Sequence, residues 1–303
     1  MIALFGGTGF IGRHICQELH ARNLAAVTIS NNPDTAFLDE FAPSVRGVIV
    51  GTQDAIDLTA QATSIIYLAH QSRPSTNVSN LKKELATNIS TAADLFEQIV
   101  TVNPQCRLIY TSSGGQIYGR GYDHPIKETD LTYPTTLYGL GKTVIEDLLK
   151  FYATSRDART TTFRLGNPIG RWQLNTSHGL VSAAVRAAMT NQDLTIFGTG
   201  DNQRDYFDVD DLAKFLVSYA TDANAKSGTY NIGSGIGLTE KDIIAAVEQA
   251  TDRTIQLNYA AKRSFDLEFA VLDIGKAKAD LNWSPQTSLE ESIKKIAASL
   301  SEN

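Results

Sequence analysis

Apolar residues follow two rhythms along this chain. Short unbroken runs, Met1-Ile-Ala-Leu-Phe5, Ala25-Ala-Val-Thr-Ile29, Arg46-Gly-Val-Ile-Val50 and Ser64-Ile-Ile-Tyr-Leu-Ala69, read as strands covered on both faces of a parallel sheet. Between them, apolar positions recur at helical spacing. Ile11, Ile15 and Leu19 mark a helix ending near Arg22-Asn23, while Thr52 to Thr63 is a short helix or a loop. Leu85, Ile89, Ala92, Ala93, Phe96 and Ile99 form the stripe of a long amphipathic helix over 83–100, with Asn88 inside the stripe. Leu108-Ile-Tyr110 begins a fifth strand that runs on into Thr111-Ser-Ser113-Gly-Gly-Gln116. A helix opening at Tyr138 continues through Ile145, Leu148, Leu149 and Tyr152, and Thr160 to Leu165 is a sixth strand. Strictly alternating strands and helices predict an α/β fold.

Beyond Asn167 the alternation loosens and a smaller second region begins. It holds an irregular stretch with Trp172 and His178, a helix with Leu180, Ala184, Ala187 and Ala188, and a short Leu194–Phe197 strand. A Val209–Ala220 helix and a Tyr230–Ile232 strand lie near the junction of the two regions.

The first strand empties into Gly6-Gly-Thr-Gly9-Phe10-Ile11-Gly12, and a helix follows at once. A strand, a glycine turn and a helix N-terminus bring backbone N–H groups and the positive helix end to one place, which suits a pyrophosphate. A Cβ in such a turn would hold the phosphate away. The second strand closes a β-α-β unit of about thirty residues, the size this motif requires. An acidic residue often ends that strand to bind a ribose. Here the strand ends Ser30-Asn31-Asn32, with no carboxylate.

Length and composition narrow the picture without redirecting it. The chain has 303 residues, 42% of them hydrophobic and 20% charged, which is ordinary for a globular protein with a large core. Its net charge of −6 and the lack of a basic stretch exclude nucleic acid as the main partner. Cys16 and Cys106 form no C-x-x-C and read as reduced, buried thiols. No apolar run reaches the ~20 residues of a membrane span, and the chain opens on a strand with no leader-like segment, so a cytoplasmic protein is expected. No metal site is expected, since nothing spaces histidines or carboxylates as ligands.

Tyr138 and Lys142 are four residues apart on a helix, so both side chains emerge on one face. A phenol titrates near ~10, and a neighbouring ammonium favours the phenolate. On spacing alone such a pair is better explained by chance. Read in order, however, the Gly6–Gly12 loop, His70 after Leu68-Ala69, Asn88, the Ser112-Ser113 to Tyr118-Gly119 stretch, the Y-x-x-x-K at Tyr138/Lys142 and Asn167-Pro168 form a series. It continues through Phe197 to Asp211, Tyr230-Asn-Ile-Gly233, Arg263-Ser-Phe-Asp266, Asp273 to Lys276 and Leu281-Asn-Trp283-Ser-Pro285. This series resembles, from end to end, the extended short-chain dehydrogenases/reductases of the nucleotide-sugar epimerase/dehydratase group, and UDP-glucose 4-epimerases among them.

The resemblance implies a doubly wound parallel Rossmann sheet over 1–166, with 208–233 returning to it, and a smaller α/β lobe for the nucleotide sugar formed mainly by 167–207 and 234–303. It implies that Gly6, Gly9 and Gly12 line the pyrophosphate, with backbone contacts from Phe10 and Ile11. Asn31, Ala69 and Asn88 join the cofactor site, and His70 acts there through its backbone. Tyr138 would be the acid/base, and Lys142 would bind the nicotinamide ribose and depress the tyrosine pKa. Asn167, Arg204, Arg263 and Asp266 would contact the nucleotide sugar, although salt bridging is the plain alternative for both arginines. In this register Asp208, Asp210 and Asp211 open a helix and cap it. Relatives pair the 83–100 and 138–152 helices across a homodimer.

The chain departs from the family pattern in three places. Gly114 stands where a Ser or Thr hydroxyl is usual, so Ser113 is expected to take over. Gly115 and Gln116 stand where dehydratases place an acid pair, and neither can exchange protons, which disfavours dehydration. Asn31 neither repels a 2′-phosphate nor rejects a ribose, and Arg13 could reach such a phosphate, so these residues leave both forms open; the resemblance favours NAD, with NADP possible. The leading expectation is an NAD-dependent nucleotide-sugar epimerase, acting at C4 of a UDP-hexose. An NADP-dependent reductase of a 4-keto nucleotide sugar is the alternative. A non-catalytic dinucleotide-binding sensor is a third possibility, against which the presence of both Tyr138 and Lys142 argues.

Overall fold

The apolar runs become strands where the periodicity places them. The structure, a computed structural model, describes residues 1–73, 80–173 and 179–301. Strands β1 (Ile2–Phe5), β2 (Ala26–Ser30), β3 (Val45–Ile49), β4 (Ser64–Tyr67), β5 (Arg107–Ser113) and β6 (Thr160–Leu165) share one sheet with the Gly228–Ile232 strand. Every residue of β1, β4 and β6 is buried, whereas β3 at the sheet edge is half exposed. The strand order is β3-β2-β1-β4-β5-β6 and then Gly228–Ile232. Pairing is parallel from β3 through β5, in the register Ile2↔Ala26 and Ile2↔Ser64 around β1. The chain winds outward from β1 to β3 and then returns to β4 on the other side of β1. Ligands bind beyond the carboxyl ends of strands where the winding reverses in this way, and both the glycine turn and the segment after β4 leave the sheet there.

Helices α1 (Phe10–Ala21), α2 (Thr35–Asp39) and α3 (Gln53–Ala60) connect the first four strands. The helix predicted over 83–100 is a continuous helical run of three parts: α4 (Leu81–Glu84), a wide π turn at Leu85–Ile89, and α5 (Ser90–Val102). A π turn inside a helix departs from the regular i→i−4 ladder and often marks a functional position. Here Glu84, just before it, and Asn88, within it, are both buried. Helix α6 (Leu137–Arg156) is capped by Thr136, whose Oγ1 accepts the Gly139 N–H at 3.0 Å. Apolar residues of β1, β4, β5, α5 and α6, among them Tyr67, Phe96, Leu108 and Ile145, close one core.

The chain sorts into two compact units. The first comprises Met1–Ser113, Thr136–Arg164 and Ala213–Tyr230, and the second comprises Gly114–Thr135, Leu165–Leu212 and the chain from Asn231 onward. Four stretches therefore sort apart from the sequence expectation, 114–135, 165–166, 208–212 and 231–233. Residues 114–135 join the second unit because Ile117, Tyr118 and Ile126 pack on Leu272 and the Tyr118 hydroxyl donates to Asn231 Oδ1 at 2.8 Å. Asp208 joins it through Ser292, whose hydroxyl donates to Asp208 Oδ2 at 2.6 Å.

The second unit is also α/β. Its Gln203–Asp208 strand pairs with Asn167–Ile169, Gly237–Thr239 and Phe269–Ala270, and Leu194–Phe197 pairs in parallel with Leu257–Ala260. The Leu180–Thr190, Glu240–Thr251 and Leu289–Ser301 helices supply its core. The carboxylates after Phe207 cap and tie this unit together. Asp208 Oδ1 accepts the Asp210 N–H, and Asp211 Oδ2 accepts the N–H groups of Gln286 and Thr287. Both cysteines are free and buried. No described helix is long and apolar enough to cross a membrane.

Candidate active site

The glycine turn is built by close approach of backbone to backbone. Gly6 has φ +88°, and a Cβ there would press on the Ala69 N–H that follows β4. A Cβ on Gly12 would collide with the Gly6 carbonyl and with Gly7, so only glycine lets α1 begin directly on the turn. At Gly9 the space a side chain would fill is open apart from the Gly6 carbonyl. Gly9 is the N-cap of α1, with no side-chain cap and no acid in the first turn. These features fit a dinucleotide diphosphate: uncapped N–H groups, a positive helix end, and a cradle that a Cβ would block.

The remaining cofactor-site residues act on the turn from beside it. Asn88 is buried and accepts the Gln71 N–H through Oδ1 at 2.8 Å, and its Nδ2 donates to Ser72 at 3.4 Å. It thus pins the segment that carries Ala69 and His70. Asn31 is exposed at the exit of β2. Arg13 is not free to reach a phosphate: its guanidinium meets Asp34 at 2.5 Å, donates to the Thr8 carbonyl at 3.0 Å, and lies over the Phe37 ring.

Helix α6 and β5 bring the proposed chemistry together. The Ser113 hydroxyl hydrogen-bonds the Tyr138 phenol, which draws the phenol pKa down. Ser112 is buried one residue earlier, and its hydroxyl has no partner among the described residues. Gly114 cannot carry a hydroxyl here, because a Cβ would collide with the Leu272 side chain. Lys142 is buried and donates from Nζ to the Thr111 carbonyl at 2.9 Å, with Nζ 4.9 Å from the Tyr110 ring centre and 5.7 Å from that of Tyr138.

This geometry corrects one expectation. Burial pushes the Tyr138 phenol up to about 12, against the Ser113 hydrogen bond, and the Glu84 charge adds to the rise. The Lys142 ammonium, turned onto Thr111, does not hold the phenol down. Burial in turn pushes Lys142 down to about 7, against the pull of Glu146 and Glu84. Glu146 is itself buried and engaged by Arg164, which donates from Nη2 at 2.7 Å and from Nε at 3.1 Å.

Two side chains beside Tyr138 go beyond the sequence reading, which gave His70 a backbone role only and passed over Glu84. The His70 ring packs edge-on against the Tyr138 ring, 5.1 Å between centres and 89° between planes. Its Nε2 lies 3.2 Å from Glu84 Oε1, and both side chains are almost wholly buried. The signal for Glu84 was present: the buried series Ala92 and Asn88, continued back by four, arrives at Glu84.

In the second unit, Arg263 and Asp266 are committed to each other, with Nε and Nη2 donating to the carboxylate at 2.9 and 2.8 Å. The Arg263 guanidinium also lies over Phe197. Arg204 has Asp266, Glu240 and Arg263 for charged neighbours, and burial holds its pKa below the usual arginine value. Asn167 spends its amide N–H on the Asp205 carbonyl at 3.2 Å. Asp205, which sequence reasoning passed over, is fully buried and accepts N–H groups from Ser234, Gly235 and Leu272, a structural knot. Trp172 sits at φ +64° under the Arg171 guanidinium, while His178 lies outside the described residues.

Comparison with known proteins agrees with this architecture. The profile of the NAD dependent epimerase/dehydratase family matches residues 2–233. The dTDP-4-dehydro-6-deoxyglucose reductase of Escherichia coli is 26% identical over 99% of this chain and 97% of its own length. A putative UDP-glucose 4-epimerase of Methanocaldococcus jannaschii is 27% identical over 98% of this chain and 97% of its own. Among solved structures, the UDP-glucose 4-epimerase of Thermotoga maritima with UDP-glucose superposes with a TM-score of 0.88 at 26% identity, covering 99% of this chain and 98% of that one.

Proposed function

This chain belongs to the NAD dependent epimerase/dehydratase family, and from that premise we propose that it is an epimerase inverting C4 of a UDP-hexose, with Tyr138 as acid/base. The observation that carries the reading is the Ser113–Tyr138 hydrogen bond beside buried Lys142, in the unit that also contains the glycine turn. NAD, when bound, supplies a hydride acceptor that can return the hydride to either face of the sugar. Tyr138 takes the proton of the sugar hydroxyl and gives it back, while the Ser113 hydroxyl donates to the oxygen that bears the developing charge. Lys142 has N–H donors left beyond the Thr111 carbonyl, and these serve the nicotinamide ribose.

The turn from Gly6 to Gly12 holds the dinucleotide diphosphate through the N–H groups of Phe10 and Ile11, and Asn88 keeps the Ala69 segment against it. The second unit holds the nucleotide sugar, through Asn167, Arg204, Arg263 and Asp266. Gly115 and Gln116 leave no acid pair after Ser113 and Gly114, which argues against dehydration. Leu81, Leu85 and Val102 on the α4–α5 run and Phe151 on α6 are exposed, which supports pairing of these helices in a homodimer.

A second reading, reduction of a 4-keto nucleotide sugar, draws on the reductase name of the Escherichia coli relative. The two separate in one experiment. Protein purified without added cofactor and then denatured releases stoichiometric NAD if it is an epimerase, and it interconverts UDP-glucose and UDP-galactose. Protein that emerges empty, binds NADPH tightly and consumes it with a 4-keto sugar overturns the epimerase reading in favour of the reductase.

A further inference from the structure

The buried pair beside Tyr138 is not explained by the acid/base chemistry above. Glu84 lies against α6 at a place where only glycine leaves room: a Cβ on Gly141 would collide with Glu84 Oε1. Apart from their own 3.2 Å contact, Nε2 to Oε1, neither the carboxylate oxygens of Glu84 nor the ring nitrogens of His70 have a hydrogen-bond partner among the described residues. An acid taken this far from water is destabilising unless something nearby needs its charge or its shape. Lys142 is the buried cation whose charge Glu84 favours.

We propose that His70 and Glu84 are positioning residues of this site, Glu84 as a buried counter-charge to Lys142 and His70 as the edge that fixes the Tyr138 ring. Three elements converge on that ring: α4 with Glu84, the segment after β4 with His70, and α6 with Tyr138 itself. The other titratable and charged groups facing the cluster are Tyr110 on β5, with Tyr67 behind it on β4, and Lys142 and Glu146 on α6, the last paired with Arg164 of β6. Tyr110 is neutral, because burial raises its phenol well above the ordinary value. Glu146 is already engaged by Arg164, so Glu84 is the carboxylate in this cluster without an arginine. Its charge raises Lys142 and raises Tyr138 together. That charge thereby favours the ammonium of Lys142 and strengthens the hold of Tyr138 on a proton, as a group that must take one from a sugar hydroxyl requires. His70 contributes no charge to this balance, since burial and Lys142 push its imidazole down to about 2. Its part is steric, a ring edge against a ring face.

The inference rests on Tyr138 as acid/base, and its first test does not depend on turnover. Tyrosinate absorbance is followed through an alkaline titration of the NAD-loaded protein, each variant being compared with its Tyr138→Phe counterpart to isolate the one phenol. In Glu84→Gln, loss of the charge brings the Tyr138 tyrosinate in at a pH lower by about one unit or more. An unshifted titration in a variant with native circular dichroism overturns the role of Glu84. Should Glu84→Gln not fold, Glu84→Ala/Gly141→Ala serves instead, since the new methyl occupies space the carboxylate has left. The same shift is expected there, and its absence overturns the role equally. For His70, the readout is a split between kcat and KM. His70→Ala lowers kcat about tenfold with KM for UDP-glucose within twofold, and His70→Phe, which restores the ring, recovers most of the loss. Equal loss in both variants, or a loss confined to KM, overturns the positioning role. If the wild-type protein turns over no sugar, the functional reading fails while the tyrosinate comparison still decides the part played by Glu84.

Discussion

Arg13 on α1 and Asp34 at the start of α2 meet at 2.5 Å, and together they finish the turn that follows β2. Asp34 also caps α2, accepting the Phe37 N–H at 3.2 Å, so Arg13 is held over the Phe37 ring by an acid that is itself fixed. The carboxylate absent from the end of β2 is therefore present three residues beyond Asn31. It neutralises Arg13, the cation that the sequence reading offered to a 2′-phosphate.

Removing that acid should relax the choice of cofactor. Asp34→Asn keeps the cap and leaves Arg13 with uncompensated charge, so NADP affinity should rise on the order of tenfold relative to NAD, the worth of one charge-assisted hydrogen bond from the guanidinium to the 2′-phosphate. Titration calorimetry of wild type and variant with both dinucleotides checks this. An unchanged ratio would place the Arg13–Asp34 pair outside the ribose site.

The hydroxyl that the family resemblance leads one to expect at position 114 cannot simply be put back. Gly114→Ser drives its Cβ into Leu272, a fully buried side chain, and overpacking of this kind costs about 1–3 kcal/mol. Thermal melting should show that loss, and Leu272→Ala in the same chain should relieve the collision. Ser113→Ala, by contrast, should melt close to wild type while activity falls and its pH optimum moves upward, because the hydrogen bond it removes is the one that lowers the Tyr138 phenol. Tyr138→Phe should lose ~10²–10⁴ in kcat, the usual share of an acid/base group. A fully active Ser113→Ala variant would remove Ser113 from the mechanism.

Stability should fall on the acid side because of His70. Its imidazole is pushed down to about 2 in the folded chain and returns to its ordinary 6.5 on unfolding, so between those values the unfolded state binds the extra proton. Stability contributed by the neutral ring is present above about pH 6.5 and is lost as pH falls below it. His70→Phe removes this proton uptake. The melting temperature of the variant should therefore decline less between pH 7 and pH 4 than that of wild type, whatever the offset at pH 7. Parallel declines would mean that the acid limb belongs to other groups.

Most of the first unit was legible because its signals are local. A strand, a glycine turn and a helix declare themselves within a dozen residues, and Tyr138 and Lys142 share a face at a spacing any helix imposes. Ser113 was reachable as an expectation once the family resemblance marked Gly114 as a position without its usual hydroxyl. The burial of Glu84 was reachable from its spacing to Asn88 and Ala92, but the roles of Glu84 and His70 were not, because their meaning lies in a contact between segments, permitted by a glycine on a third. Asp34 was missed for a related reason: it lies past Pro33, beyond the strand whose end was searched for an acid. The Gln203–Asp208 strand was illegible by composition, since its polar residues are satisfied by partners far along the chain. Asp205, the most buried of them, binds Ser234, Gly235 and Leu272.

The Arg263–Asp266 pair offers the sharpest test of the second unit. The bidentate bond and the stacking over Phe197 fix the guanidinium plane, and a planar fork fixed in advance loses little freedom when it takes up a phosphate edge. Lysine keeps the charge but neither the fork nor the stacking. Arg263→Lys should therefore weaken binding of UDP on the order of tenfold while leaving NAD binding unchanged, since NAD is assigned to the other unit. Asp266→Asn should weaken UDP through the loosened arginine, and in the Arg263→Lys background it should cost little more, as expected for residues acting through one contact. Calorimetry with UDP on the two single variants and the double variant closes the cycle. Additive losses, or a fall in melting temperature with UDP affinity intact, would make the pair a surface salt bridge and move the diphosphate site elsewhere in the second unit.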